Sequence, residues 1–198
     1  MTKLFAVILS FALLAGCSSE PAKPAAAEKP QPKAPQTTGG TSALYKCYIA
    51  ARGWQQDAQP FRLDSEVTTG SNGHDGKAIT WRAGFASPAA RSAKPYSWSN
   101  GEVSPGVEDT YSPTNTSTQV FNIQLLSADS DKAFEAAQKH GGDKLLEQDP
   151  NTPVFYSLNW NRQKERLEWH VMYGPSPDSA KLRILVNANT GEFIRVEE

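Results

Sequence analysis

Hydrophobic positions in the last seventy residues alternate with period two in three places. Val154, Tyr156, Leu158 and Trp160 share one face; Leu167, Trp169, Val171 and Tyr173 repeat the pattern, and Leu182, Ile184 and Val186 repeat it again. Such alternation marks half-buried strands. A turn at Asn189-Thr190-Gly191 leads into a fourth run, Phe193 to Val196. Upstream, Ser127 to Asp131 supplies N-cap residues and early negative charge, and Ala133, Phe134 and Ala137 recur at helical spacing. Gly141-Gly142 is placed to end that helix. The predicted order is one helix followed by three or four antiparallel strands.

The preceding stretch reads as a weaker version of the same order. Leu44, Cys47, Tyr48 and Ala51 form a helical stripe that ends near Gly53. Phe61 to Val67 and Ile79 to Phe85 are strand candidates, and Tyr96 and Trp98 precede Asn100-Gly101, a hairpin signal. Ser104 to Thr116 is Pro-rich and polar, a predicted loop, and Val120 to Leu126 a predicted strand. Two segments support internal repetition: Trp81 to Lys94 (WRAGFASPAARSAK) and Trp169 to Lys181 (WHVMYGPSPDSAK). Each has Trp, an aromatic four residues on, then Ser-Pro, then Ser-Ala-Lys. Gly53 and Gly141 stand at the same separation as the two tryptophans, giving a unit of about 88 residues.

The expected fold class is therefore α+β, with two similar units, each a short helix packed on a small antiparallel sheet. The second unit resembles a PepSY-like (cystatin-like) domain. The residues that carry the resemblance are the strand around Trp169 and the run Val186-Asn187-Ala188-Asn189-Thr190-Gly191-Glu192, with Asn187 where that family tends to have Asp. The resemblance covers about residues 127–198 and, more faintly, 43–110. It implies a small secreted or envelope module of the kind attached to, or restraining, peptidases, and implies no active site. The expected boundaries are a signal segment at 1–16, a tether at 17–42, a first unit at 43–117 and a second at 118–198.

The first forty residues differ from the rest. Lys3 precedes an apolar run from Leu4 to Ala15, too short to span a bilayer and shaped like a secretory signal. It ends in Leu13-Leu14-Ala15-Gly16-Cys17, which resembles a bacterial lipobox. That resemblance implies a diacylglyceryl thioether on Cys17, cleavage before it and acylation of the new amino terminus. Two or more chains anchor a protein stably without a transmembrane helix. Ser18, rather than Asp, follows the cysteine, which for such lipoproteins implies the outer membrane, facing the periplasm, where two membranes exist. Ser18 to Gly40 holds Pro21, Pro24, Pro30, Pro32 and Pro35 and no large apolar residue, the composition of a spacer.

Composition narrows function by exclusion. Across 198 residues, 20 Lys and Arg against 21 Asp and Glu give a net charge of −1, which argues against nucleic acid as a partner. With two cysteines, one in the lipobox, there is no disulfide scaffold or multi-Cys zinc site. His74 lies in a polar loop, His140 at a predicted helix C-terminus and His170 opposite the apolar face of its strand, and no two stand at metal-ligand spacing. No metal or other cofactor is expected. Cys47 falls on an apolar stripe, as an inert thiol does. There is no Gly-x-Ser-x-Gly and no phosphate-cradling loop.

What remains is a face. Ser157, Asn159, Glu168, His170, Met172 and Arg183 lie opposite the core positions and would line the uncovered side of the sheet. They are the candidate binding residues, for a peptide or an envelope protein. The leading reading is a lipid-anchored envelope protein with a binding or structural role and no enzymatic activity. The alternatives are a hydrolase using His170 or Cys47, and a wall-glycan binder using exposed Trp54 and Trp98.

Overall fold

Nine antiparallel strands, joined edge to edge, run through both halves of the chain. This computed structural model describes residues 35–115 and 118–197. In chain order, the elements are β1 (Thr38–Gly39), α1 (Gly40–Trp54), β2 (Gln59–Glu66), β3 (Lys77–Ala78), β4 (Thr80–Ser87), β5 (Ser92–Ser99), β6 (Glu102–Pro105) and β7 (Asp109–Thr110). They continue with α2 (Ser130–Ala137), α3 (Asp143–Gln148), β8 (Val154–Asn161), β9 (Arg166–Tyr173), β10 (Leu182–Asn187) and β11 (Phe193–Glu197). The main sheet runs β11-β10-β9-β8-β2-β4-β5-β6, with β7 also on β5, while β1 and β3 form a separate pair. The α+β expectation holds, and each long helix leads into a four-strand meander. The sheet is shared, however: the described residues form one compact unit.

The two meanders meet where β2 pairs with β8, Leu63 facing Leu158. Only Arg62 to Asp64 are in register there, and the Ser65 hydroxyl extends the seam by accepting the Tyr156 N–H at 2.8 Å. The helices cover one side of the sheet. Leu63, Trp81, Phe85, Trp98, Tyr156, Leu158, Trp169 and Ile184 are buried in that interlayer with Leu44 and Cys47 of α1 and Ala133 of α2.

The interlayer centres on Trp81 and Trp169, packed edge to face at 6.2 Å. Each indole N–H donates at 2.9 Å to a carbonyl two residues before a helix: Trp81 to Thr38, ahead of α1, and Trp169 to Ala128, ahead of α2. Asp129 then serves both helix starts. Its Oδ1 accepts from the Thr41 N–H at 2.8 Å and from the Ser130 N–H at 2.7 Å, and the Ser130 hydroxyl accepts from the Gly40 N–H at 2.8 Å. These are amides a helix cannot satisfy internally, and a carboxylate suits the positive ends of two helix dipoles. The close approach requires Gly40, where a Cβ would stand 2.5 Å from the Trp169 ring.

Helix α1 runs from Gly40 to Trp54 and so ends near Gly53, as expected. Three expectations are corrected. The tether was expected to reach residue 42; instead Gln36 already bonds Asn100, and Thr38 pairs with Ala78. The strand expected over 120–126 is an irregular connection: the Phe121 N–H donates to the Pro60 carbonyl at 2.8 Å, and a 3₁₀ turn capped by Asn122 follows at Ile123–Leu125, while β8 rather than this segment takes the edge of β2. The second helix was expected to end at Gly141-Gly142. The chain does break there, with Gly141 at φ +116, a value that favours glycine. It then resumes as α3.

Replacing Asp129 with Ala removes a cap from two helices, so stability should fall by about 2–3 kcal/mol. Gly40→Ala should cost roughly 1–3 kcal/mol through overpacking. Urea midpoints at unchanged slope measure both, and a loss under about 0.5 kcal/mol for Asp129→Ala would show that the two helix starts do not depend on this carboxylate.

Candidate functional site

Strand alternation sends every second residue of β2, β8, β9, β10 and β11 to the side away from the helices. Cross-strand pairing then sets the neighbours. Ser157 faces His170 and Asn159 faces Glu168 across β8 and β9, and Met172 faces Arg183 across β9 and β10. The six candidate binding residues are thus gathered on one face, as their spacing predicts.

The same register adds residues that sequence reading missed. Arg62 and Asp64 of β2 lie beside Asn159 and Ser157, and Arg82 of β4 lies beside Asp64. Glu197 of β11 lies beside Arg183. The alternation of Arg62, Asp64 and Glu66 was a usable signal, but nothing in the sequence announces that β2 borders β8.

This face was expected to lie uncovered, and much of it is buried. Glu168 is 1% exposed, and Met172 and Ser157 are buried. The 174–181 turn leans over the sheet: the Arg183 guanidinium donates to the Pro177 carbonyl at 2.9 Å, and Pro177 and Asp178 wall a cavity of about 360 Å³ with Arg62, Arg82, His170 and Arg183. A second cavity of about 520 Å³ lies on the other side of His170, lined by Asn159, Asn161, Glu168, Arg195 and Glu197.

Charge on the face is paired residue by residue. Arg62 bridges Asp64 at 2.5 Å, and Arg82 bridges Glu66. Buried Glu168 accepts from the Arg166 Nε at 2.6 Å and from the Asn161 amide at 2.9 Å. Glu197 receives Arg183 at 3.5 Å, Arg195 at 3.2 Å and the His170 Nδ1 at 3.7 Å. Of the six buried side-chain polar atoms without a partner among the described residues, two are on this face: His170 Nε2 and Arg183 Nε. Unmade hydrogen bonds at buried polar atoms cost free energy, so they mark places where an incoming acceptor or donor gains.

Burial pushes the His170 imidazole below its ordinary value, against the opposing pull of Glu197 and Glu168. Ser157, His170 and Glu197 have the residue types of a hydrolytic triad. The nucleophile–base bond is missing, since Nε2 has no hydrogen-bond partner. Cys47 is fully buried, and burial raises its thiol to about 12, the opposite of an activated nucleophile.

The other candidates take structural places. His74 Nε2 bonds the Thr152 carbonyl at 2.7 Å, and His140 stacks on Phe193 at 3.6 Å. No group of three metal-ligating side chains occurs among the described residues. The pair of exposed tryptophans expected for a glycan binder is not there. Trp98 is 2% exposed in the core, because β5 turns it toward α1, and the Trp54 indole N–H is held by Glu108 at 2.9 Å. Cys17 and its lipobox lie outside the described residues.

No family model matches the chain, and no curated protein matches it by sequence. Among solved structures, that of a candidate lipoprotein from Clostridium difficile 630 matches with a TM-score of 0.53 at 11% identity, covering 78% of this chain and 91% of that one. At that identity the likeness is one of fold.

The lowered His170 value sets a sign for acid stability. As pH falls past about 6.5, the unfolded chain takes up a proton that the folded imidazole resists. Stability should therefore drop from pH 7.5 toward the folded value, and His170→Gln should flatten that part of the curve. Parallel melting-temperature profiles for both proteins would contradict it.

Proposed function

We propose that the chain is a lipid-anchored cell-envelope protein whose polar sheet face docks an extended peptide or a segment of another envelope protein. The observation that carries this reading is the pair of buried, unpartnered atoms, His170 Nε2 and Arg183 Nε, on one face between two open cavities. The site holds Ser157, Asn159, Glu168, Met172, Arg62 and Glu197 around them. Its charges alternate in sign, which suits the mixed donors and acceptors of a peptide better than a simple anion.

The anchor reading rests on the lipobox at Leu13 to Cys17 and the short apolar run before it. No helix among the described residues is long and apolar enough to cross a membrane. The structural neighbour from Clostridium difficile is itself described as a candidate lipoprotein, which accords with this reading. In a cell with two membranes, Ser18 after Cys17 favours the outer membrane, with the body in the periplasm.

Two PepSY-like units related by duplication fit the architecture. In both halves a tryptophan donates to the carbonyl two residues ahead of the helix, and a meander follows. The sheet registers differ, since Trp81 faces Ser65 while Trp169 faces Leu158. A non-enzymatic role fits the missing nucleophile–base bond at His170.

Two measurements test the reading. A photoreactive residue at Asn159 in cells should give a discrete adduct that Arg183→Ala and His170→Gln abolish; no adduct, or one unchanged in both variants, would contradict the docking face. Cys17→Ser should leave the precursor uncleaved or release the protein from membranes. Unaltered size and fractionation would contradict the anchor.

A further inference from the structure

We infer that the outer face of α1 rests on the lipid surface to which the chain is anchored, with acidic phospholipid headgroups as its partner, so that the docking face points away from the membrane. This inference rests on the lipid-anchor reading above.

The two long helices cover the same side of the sheet but present different faces to the outside. Helix α2 shows Lys132 and Glu135, ion-paired with each other at 2.8 Å, an ordinary solvated face. Helix α1 shows Tyr45, Lys46, Ile49, Arg52 and Gly53. Ile49 is 73% exposed and lies at the centre of that face, and Tyr45 is 40% exposed one turn before it. Ile49 is the most exposed large apolar side chain of any helix among the described residues.

Charge is one-sided along the same element. Helix α1 contains Lys46 and Arg52 and no acidic residue. The Lys46 ammonium lies over the Trp98 ring at 5.3 Å and the Arg52 guanidinium over Tyr48 at 5.6 Å, so both exposed cations are held along aromatic surface. Past the helix C-terminus, Lys94 sits over Trp54 at 5.8 Å, and Val107, beside the Glu108 that holds Trp54, is 87% exposed. The acidic groups at this end are engaged: Glu108 by Trp54, and Asp57 by Ser87 and Ala89. Apolar and aromatic side chains interleaved with cations that have no carboxylate ion-paired to them, Arg52 donating only to the Tyr48 hydroxyl at 2.9 Å, are the composition of an interfacial helix, and each basic residue near an anionic surface strengthens contact roughly fivefold.

The path of the chain makes the contact geometrically available. The folded body is entered through Gln36 and Thr38 immediately before α1, on the helix side of the sheet, where Thr38 meets the Trp81 indole. Eighteen residues, 18–35, separate Gln36 from Cys17. They reach at most about 60 Å. A body held that close to a bilayer meets it at high effective concentration, so a weak interfacial face is sufficient.

The test uses the full lipidated chain in vesicles of phosphatidylcholine containing phosphatidylglycerol. Ile49→Cys and, separately, Arg195→Cys on the sheet face carry a nitroxide; the buried Cys47 does not compete for label. Flotation with the vesicles reports the anchor independently. The expected result is loss of nickel-chelate quenching at position 49 with oxygen access kept, position 195 remaining open to the chelate. Lys46→Gln with Arg52→Gln should return position 49 to the chelate. Flotation with position 49 as chelate-accessible as 195 would overturn the inference while leaving the anchor intact. Protection of position 49 from both chelate and oxygen would also overturn it, since that reports a protein partner on α1. Failure to float would remove the anchor and this inference together.

Discussion

Two tryptophans and one aspartate hold the halves of this fold in register. Trp81 and Trp169 reach inward from β4 and β9, pack on each other, and each fixes the chain just ahead of a helix. Asp129 then gathers amides from both helix starts. A carboxylate shared by two helix dipoles is a local solution with a global effect, because moving either helix strands amides of the other. On the opposite side of this joint, β2 and β8 share only three registered pairs. The sheet seam alone is thin; the aromatic and capping joint above it makes the two meanders one body.

A sheet fixed from one side can afford chemistry on the other. Burying Glu168 with Arg166 and Asn161 is not an obvious gain in stability, since desolvation offsets much of the attraction. Its effect is positional. It holds the floor beside His170, while the 174–181 turn and the arginines of β2, β4 and β10 raise walls around it. The resulting surface is polar and incompletely hydrogen-bonded, the feature on which the proposed docking role rests.

Much of this was legible in the sequence. Alternation from Val154, Leu167 and Leu182 located three strands, and the same period placed Ser157, His170 and Arg183 on one side. The match between the two Trp-containing segments pointed to residues that the structure places at equivalent hydrogen bonds. What escaped reading were non-local choices. No local signal says that β2 borders β8, so Arg62, Asp64 and Glu197 were not joined to the site. The Gly141-Gly142 pair read as a stop because glycine weakens a helix, but Asp143 restarts one. Glu168 read as uncovered because its burial depends on Arg166 and Asn161 together.

The most direct test is amide hydrogen exchange, read residue by residue across both halves. If the Trp81–Trp169–Asp129 joint makes one cooperative body, the amides of Thr41 and Ser130 and those of β2 and β8 exchange only through global unfolding, with a common free energy. Exchange of one half at clearly lower free energy, while the other stays protected, would show two independent modules and contradict the account.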